Sequence, residues 1–255
     1  PRSTLFPYTT LFRSARLWMG LLALALFTLP LWGSDYVMAM ACIVGIHVVA
    51  TLGLNLTTGN AGLISLSHGA FLGVGCYTVA WLAKLGVPFY LALPAAGGLA
   101  ALLGVVVGLP SLRVKGIYLA IATLASQFVL QDFFSRAAWF TGGASGANAP
   151  SFKMLGLTLS GDRGYYYVVL FFVVVMYVFA ANLMRTRDGR AMIAVRDHYL
   201  SAEIMGINLT YYRILAFAIS SFYAGIGGAL MAHYTGFVSA EAFDLLLSIN
   251  FLAMI

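Results

Sequence analysis

The sequence predicts an all-α, polytopic transmembrane bundle, and three observations carry that prediction. Of the 255 residues, 62% are apolar and only 9% are charged, against about 25% charged in an ordinary water-exposed domain. The apolar residues fall in runs close to the roughly 20 residues that a helix needs to cross a bilayer. The basic residues stand between those runs, so the net charge of +6 reads as membrane topology rather than as a nucleic-acid surface. A mean hydropathy of +0.93 also excludes a disordered chain.

In chain order the runs cover 17–32, 36–56, 62–83, 88–109, 116–134, 165–183, 214–234 and 245–255. Backbone groups in lipid must be satisfied within their own segment, so each run is expected to be a helix. That makes about eight spans, the last cut short by the C-terminus. Residues 1–14, PRSTLFPYTTLFRS, lack an initiator Met and resemble read-through joined to a gene fragment; residues 15–255 are expected to be an incomplete membrane domain. Arg13 and Arg16 before the first run, with Ala39-Met40-Ala41 after it, resemble a signal peptide, but the apolar stretch does not stop there. Cys42 and Cys76 lie in separate apolar runs and give no disulfide framework or metal knuckle.

A cytoplasmic N-terminus places Arg2, Arg13, Arg16, Arg113, Lys115, Arg185, Arg187, Arg190, Arg196 and Arg213 inside, and only Lys84, Arg136, Lys153 and Arg163 outside. The excess of basic residues in the inside loops favours this orientation, and it survives removal of Arg2 and Arg13. The sequons at Asn55 and Asn208 then face the cytoplasm and are chance matches.

Three regions carry more than a passive anchor requires. In Gly53–Phe71, Asn, Thr, Ser, His and repeated Gly collect where two spans meet, which predicts a helix broken near 55–70. Irregular backbone at that depth belongs inside protein or beside a water-filled path. Asn55, Asn60, Ser65, Ser67 and His68 are therefore candidates to line or support a translocation path. The competing reading is helix packing, with Gly69 and Gly73 as G-x-x-x-G and Ser or His bonding across helices. The second region is Arg185–Arg213, where Asp188 is placed to cap a short helix, Met192, Val195, Tyr199 and Ala202 recur at helical spacing, and Gly206 supplies a stop. Asn208 or Thr210 then caps the next span. Such a helix in a basic loop suits either a docking partner or anionic headgroups. The third region, 136–164, is rich in Gly, Ala and Ser and is longer than a span connection needs; it reads as a contact for an external partner or as a tether.

Ala202-Glu203-x-x-Gly206, following Val195-Arg196-Asp197, resembles the cytoplasmic coupling loop of ABC importer permeases. Against the general pattern of Glu-Ala-Ala, three residues, then Gly, only Ala202 and Gly206 match, because Leu200 and Ser201 hold the other positions. The chain is more similar to the branched-chain amino acid permeases of the LivM type. The similarity lies in Gly53–Leu56, Gly62–Phe71, Leu112–Tyr118, Thr141-Gly142-Gly143 and Arg190–Gly206, in register from about Tyr36 to Ile255. One departure is Ser145 before Gly146, where the family has Asp or Asn.

The resemblance implies a permease subunit in a bacterial inner membrane that moves leucine, isoleucine or valine delivered by an external binding protein. It implies a second permease and two cytoplasmic ATPase subunits as partners, with Arg196, Asp197, Ala202, Glu203 and Gly206 forming the ATPase-coupling loop. It implies no cofactor on this chain, since no G-x-x-x-x-G-K-[ST] occurs and ATP would be bound by the partner subunits. Relatives that move urea or other small polar solutes keep that substrate class open. An ion-coupled secondary transporter would want a mid-span carboxylate, and Asp132, near a span end, is the only one within a complete run. An intramembrane enzyme would have to recruit Ser67, His68, His233 and Asp132, but neither G-x-S-x-G nor H-E-x-x-H is present.

Overall fold

Long apolar runs fold into helices, and polar interruptions set where the helices end. The computed structural model describes residues 25–30, 32–112, 114, 116–149, 153–154, 157–158 and 162–255. Most of the first expected span, together with Arg2, Arg13, Arg16, Arg113 and Lys115, lies outside the described residues. The principal helices are α1 (Asp35–Leu54), α2 (His68–Lys84), α3 (Phe89–Gly108), α4 (Ile117–Arg136), α5 (Asp162–Arg185), α6 (Arg187–Asp197), α7 (Tyr199–Ile204), α8 (Leu209–Thr235) and α9 (Leu245–Ala253). Among the described residues, five segments can cross a membrane by length and apolarity: α1 with its continuation to Asn60, α3, α4, most of α5, and α8. The expected count of about eight is not reached on that measure. The structure gives α2 17 residues and α9 nine, and the run at 17–32 is mostly undescribed.

Helix α8 is the centre of the bundle and packs on α3, α2 and α1, while α5 packs on α1 and is joined to α8 by Tyr165 donating to the Leu230 carbonyl and Tyr223 donating to the Met176 carbonyl. Small residues let these backbones approach, which drives helix association in lipid where apolar burial against lipid tails gains little. At the α2–α8 crossing, a Cβ on Gly75 would run into the backbone of Gly225, and one on Gly228 into the Leu72 carbonyl. Tyr77 is fully buried against Phe134 and Phe243, and Tyr223, also fully buried, against Phe179 and Phe222. The outward face of α5 is apolar and exposed at Phe171, Val174, Val178 and Phe179, as a lipid-facing surface requires.

The expected break is present, with different limits from those predicted. Helix α1 runs on as a π-helical turn, Asn55–Asn60, closed by the Ala61 amide donating to the Leu56 carbonyl at 3.1 Å. Residues 61–67 are not helical, and α2 begins at His68 rather than near 62. The predicted start counted Leu63, Ile64 and Leu66 as helix because they are apolar. Leu63 is indeed buried, but in a non-helical segment.

The expected single helix in Arg185–Arg213 is two. His198, at φ −147° and ψ 82°, interrupts it between α6 and α7. The cap of α6 is Thr186, whose hydroxyl accepts from the Gly189 amide at 3.4 Å; Asp188 instead accepts from the Tyr212 hydroxyl at 3.3 Å. Gly206 (φ +83°) follows the end of α7 in the left-handed region, where a side chain is strained. Asn208 caps α8, accepting from the Tyr211 amide at 3.1 Å.

The described part of 136–164 is folded around Thr141, whose hydroxyl donates to the carbonyls of Phe134 (2.7 Å) and Ala137 (2.9 Å) and accepts from Gly143 N (3.1 Å). Beyond it, β1 (Ala147–Asn148) pairs antiparallel with Phe237–Val238 just after α8. The loop is therefore pinned to the bundle through residue 149 and is no free tether there.

Candidate functional site

The start of α2 is buried inside the bundle, so its first amides need partners that water cannot supply. Side chains from other helices provide them. Gly69 N donates to Ser248 Oγ of α9 at 2.8 Å, and Ala70 N donates to Gln127 Oε1 of α4 at 3.0 Å. The Gln127 amide donates to the Phe243 carbonyl at 2.8 Å, and Ser248 Oγ donates to Gln127 Oε1 at 3.1 Å. One turn earlier on α4, the Thr123 hydroxyl accepts from Leu66 N at 3.0 Å and donates to the Ala120 carbonyl at 3.0 Å. Thr123, Gln127 and Ser248 are all fully buried. None of these three is among the residues expected from the sequence. Their signal was a polar residue inside an apolar run, Thr123 and Gln127 being spaced to share one face of α4.

The five candidate path residues fall into two groups. Ser65, Ser67 and His68 are buried in this region: Ser65 Oγ and Ser67 Oγ lie 3.3 Å apart, and His68 Nε2 donates to the Ala50 carbonyl at 2.8 Å. Among the described residues, His68 Nδ1 has no hydrogen-bond partner. Asn55 and Asn60 are on the π turn, joined by Asn60 Nδ2 donating to the Asn55 carbonyl at 3.4 Å. Asn55 is exposed and shares an open groove with Thr51 and His47, one and two turns earlier on α1, and with Met254 at the end of α9. The structure thus separates Asn55, on the open face of α1, from an enclosed polar network at the start of α2.

The arginine-rich helix pair touches the same region. Met192 of α6 is buried with Ala61, Leu63, Leu119, Ala216 and Phe217. One turn on, Arg196 pairs with Asp197 (Nε to Oδ1, 2.8 Å) and donates from Nη1 to the Gly59 carbonyl at 2.7 Å. Ala202 is 4% exposed and faces inward, whereas Glu203 and Gly206 are exposed. The largest outward apolar surface of the pair is Ile204 and Met205, 85% and 82% exposed, with Leu200 beside them. That surface is not marked by the helical spacing of Met192, Val195, Tyr199 and Ala202, of which Met192, Val195 and Ala202 face inward.

Other candidates separate. Asp132 is exposed and paired to Arg136 at 2.8 Å, one turn away. His233 stacks edge-on against Phe89, at a ring separation of 4.9 Å, and His68 against Phe251 of α9, at 5.5 Å. Among the described residues no three His, Cys, Asp or Glu side chains group as metal ligands.

Five apolar spans, a membrane helix broken within the bundle and an amphipathic helix pair under the break define a multi-spanning helical membrane protein built around an internal helix start. Residues 36–255 match the family model described as branched-chain amino acid transport system, permease component, and the chain belongs to that family. It is similar to the high-affinity branched-chain amino acid transport system permease protein LivM of Salmonella typhimurium, with 33% identity over 82% of this chain and 55% of that protein. It is also 33% identical to the Escherichia coli LivM protein, over 85% of this chain and 57% of that one. A probable branched-chain amino acid transport permease protein LivH of Methanocaldococcus jannaschii is 27% identical over 79% of this chain and 67% of its own length. The chain spans just over half the length of the two LivM proteins. No solved structure matches it significantly.

Proposed function

We propose that this chain belongs to a membrane-spanning permease subunit of an ABC importer in a bacterial inner membrane, translocating branched-chain amino acids delivered by an external binding protein. Its partners are a second permease subunit and two cytoplasmic ATPase subunits; it carries out no covalent chemistry and binds no nucleotide itself. The observation that carries the reading is the non-helical segment 61–67, with Ala61, Leu63, Ser65 and Ser67 buried, bounded by a polar π turn and a helix start, with the arginine-rich helix pair packed against it. Non-helical backbone at membrane depth suits a gate or path element. Helices α6 and α7 form the ATPase-coupling element on the cytoplasmic side, with Arg196, Asp197, Ala202, Glu203 and Gly206 shaping it.

A zwitterionic substrate needs partial hydrogen bonding in transit without a deep energy well that slows release. Uncharged groups such as Asn55, Asn60, Ser65, Ser67 and His68 meet that demand, with the exposed Asn55 lining the route and the buried Ser67 and His68 supporting it. The test is ATP-driven uptake of leucine, isoleucine and valine into vesicles carrying the assembled complex, normalised to complex. Alanine at Asn55 or Asn60 should lower uptake per complex. Unchanged uptake across all five alanine variants would remove the path assignment, and uptake of urea alone would remove the substrate class.

A further inference from the structure

Arg196 does not point away from the bundle, as a residue that only meets a partner would. Its guanidinium bridges the helix pair to the π turn, with Asp197 held at Nε and the Gly59 carbonyl at Nη1. Its aliphatic stem crosses Gly62, where an added Cβ would stand 2.6 Å from Arg196 Cγ. Gly62 has φ +68°, so a side chain there is both strained and obstructed. Four residues before Arg196, on the same face of α6, Met192 is buried against Ala61 and Leu63. The turn is tied onward as well: Thr57 Oγ1 donates to the Ala216 carbonyl of α8 at 3.0 Å, and Leu63 N donates to the Thr57 carbonyl at 3.0 Å.

We propose that Arg196 is a positioning residue that fastens the helix pair α6–α7 to the π turn Asn55–Asn60, so that displacement of the pair is delivered to segment 61–67 and the start of α2. The inference rests on the importer reading above and assigns the mechanical link within it. Met192 supplies apolar contact, which tolerates sliding; the Arg196 bond to Gly59 is directional and fixes the register of the contact. A π turn suits this position because its hydrogen bonds are already shifted by one residue, and such turns recur at functional sites in helices.

The experiment uses the full-length permease assembled with its second permease, ATPase subunits and binding protein. Uptake and ATP hydrolysis are measured on the same vesicles. Arg196→Met retains the stem but removes both donors. In the Arg196→Met complexes, substrate moved per ATP hydrolysed should fall about tenfold, and Arg196→Lys should restore part of it. Gly62→Ala, which displaces the same side chain, should lower the ratio similarly, and the double variant should be no worse than either single one. An unchanged ratio in whichever of the two variants folds overturns the inference. So does failure of Arg196→Met to assemble with the ATPase, which would make Arg196 a docking residue. If the unaltered complex shows no ATP-coupled uptake at all, the importer reading falls, and this inference with it.

Discussion

Gln127 and Ser248 hydrogen-bond to each other at 3.1 Å, while each also accepts one of the first amide hydrogens of α2. One polar residue from each of two neighbouring helices thus does for α2 what a local cap does for a helix end in water. Because the partners come from α4 and α9, the start of α2 is held by tertiary structure.

Gln127→Leu should destabilise the bundle more than Ser248→Ala. The first change removes the partner of Ala70 N, of the Phe243 carbonyl and of the Ser248 hydroxyl; the second removes that of Gly69 N and leaves Gln127 its other bonds. Buried unpaired groups cost about 1–3 kcal/mol each, but bonds between membrane helices average less. We expect on the order of 2 kcal/mol for Gln127→Leu and about half that for Ser248→Ala. Thermal unfolding of the purified protein in detergent orders the two, and equal losses would show that the two sites relax independently.

Glycine should be replaceable by a larger residue at Gly98 of α3 and not at Gly75 of α2. A Cβ at Gly75 meets the Gly225 backbone, whereas one at Gly98 meets nothing within 4 Å. Gly75→Val should abolish recovery of folded protein, since a main chain cannot yield as a side chain can, and Gly98→Val should leave it unaltered. Monodispersity after solubilisation reads both.

Most of the helices were legible from apolar run length alone, because lipid leaves each segment no alternative to internal hydrogen bonding. The break near 55–70 was legible from composition, since Asn, Thr, Ser and Gly are unneeded in a span. Its limits were not: Leu63 and Leu66 look helical in sequence, and only the Thr123 bond to Leu66 N and the packing of Leu63 on Met192 make them otherwise. The polar partners of α2 lie 57 and 179 residues from the amides they accept. No local pattern couples such positions. The split between α6 and α7 also escaped, since His198 carries no breaker signature.

Thr141 should hold the loop beyond α4 shut. Thr141→Val keeps the shape but loses the bonds to Phe134, Ala137 and Gly143. A local loss of about 1 kcal/mol raises the open population about fivefold. Limited proteolysis should therefore cut within 137–149 about fivefold faster, with the rest of the bundle resistant. Equal cleavage rates would mean that the β1 pairing to Phe237–Val238 alone holds the loop.

The last expectation concerns the outer face of the helix pair. Ile204 and Met205 are 85% and 82% exposed, at the end of α7 beside a glycine that turns the chain away, while Ala202 is 4% exposed. An aspartate at Ile204 or Met205 therefore touches nothing within the bundle, and surface changes of that kind move stability by less than about 0.5 kcal/mol. Ala202→Asp buries a charge and should prevent folding. If the exposed pair seats in an ATPase cleft, each aspartate at 204 or 205 costs about 1.5 kcal/mol of association, near tenfold in affinity. Titrating the ATPase subunit against the solubilised permease measures that shift. Should the affinity stay constant while the isolated α6–α7 peptide loses its binding to anionic vesicles, the surface lies on lipid headgroups, which the neighbouring arginines Arg185, Arg187 and Arg190 would equally favour.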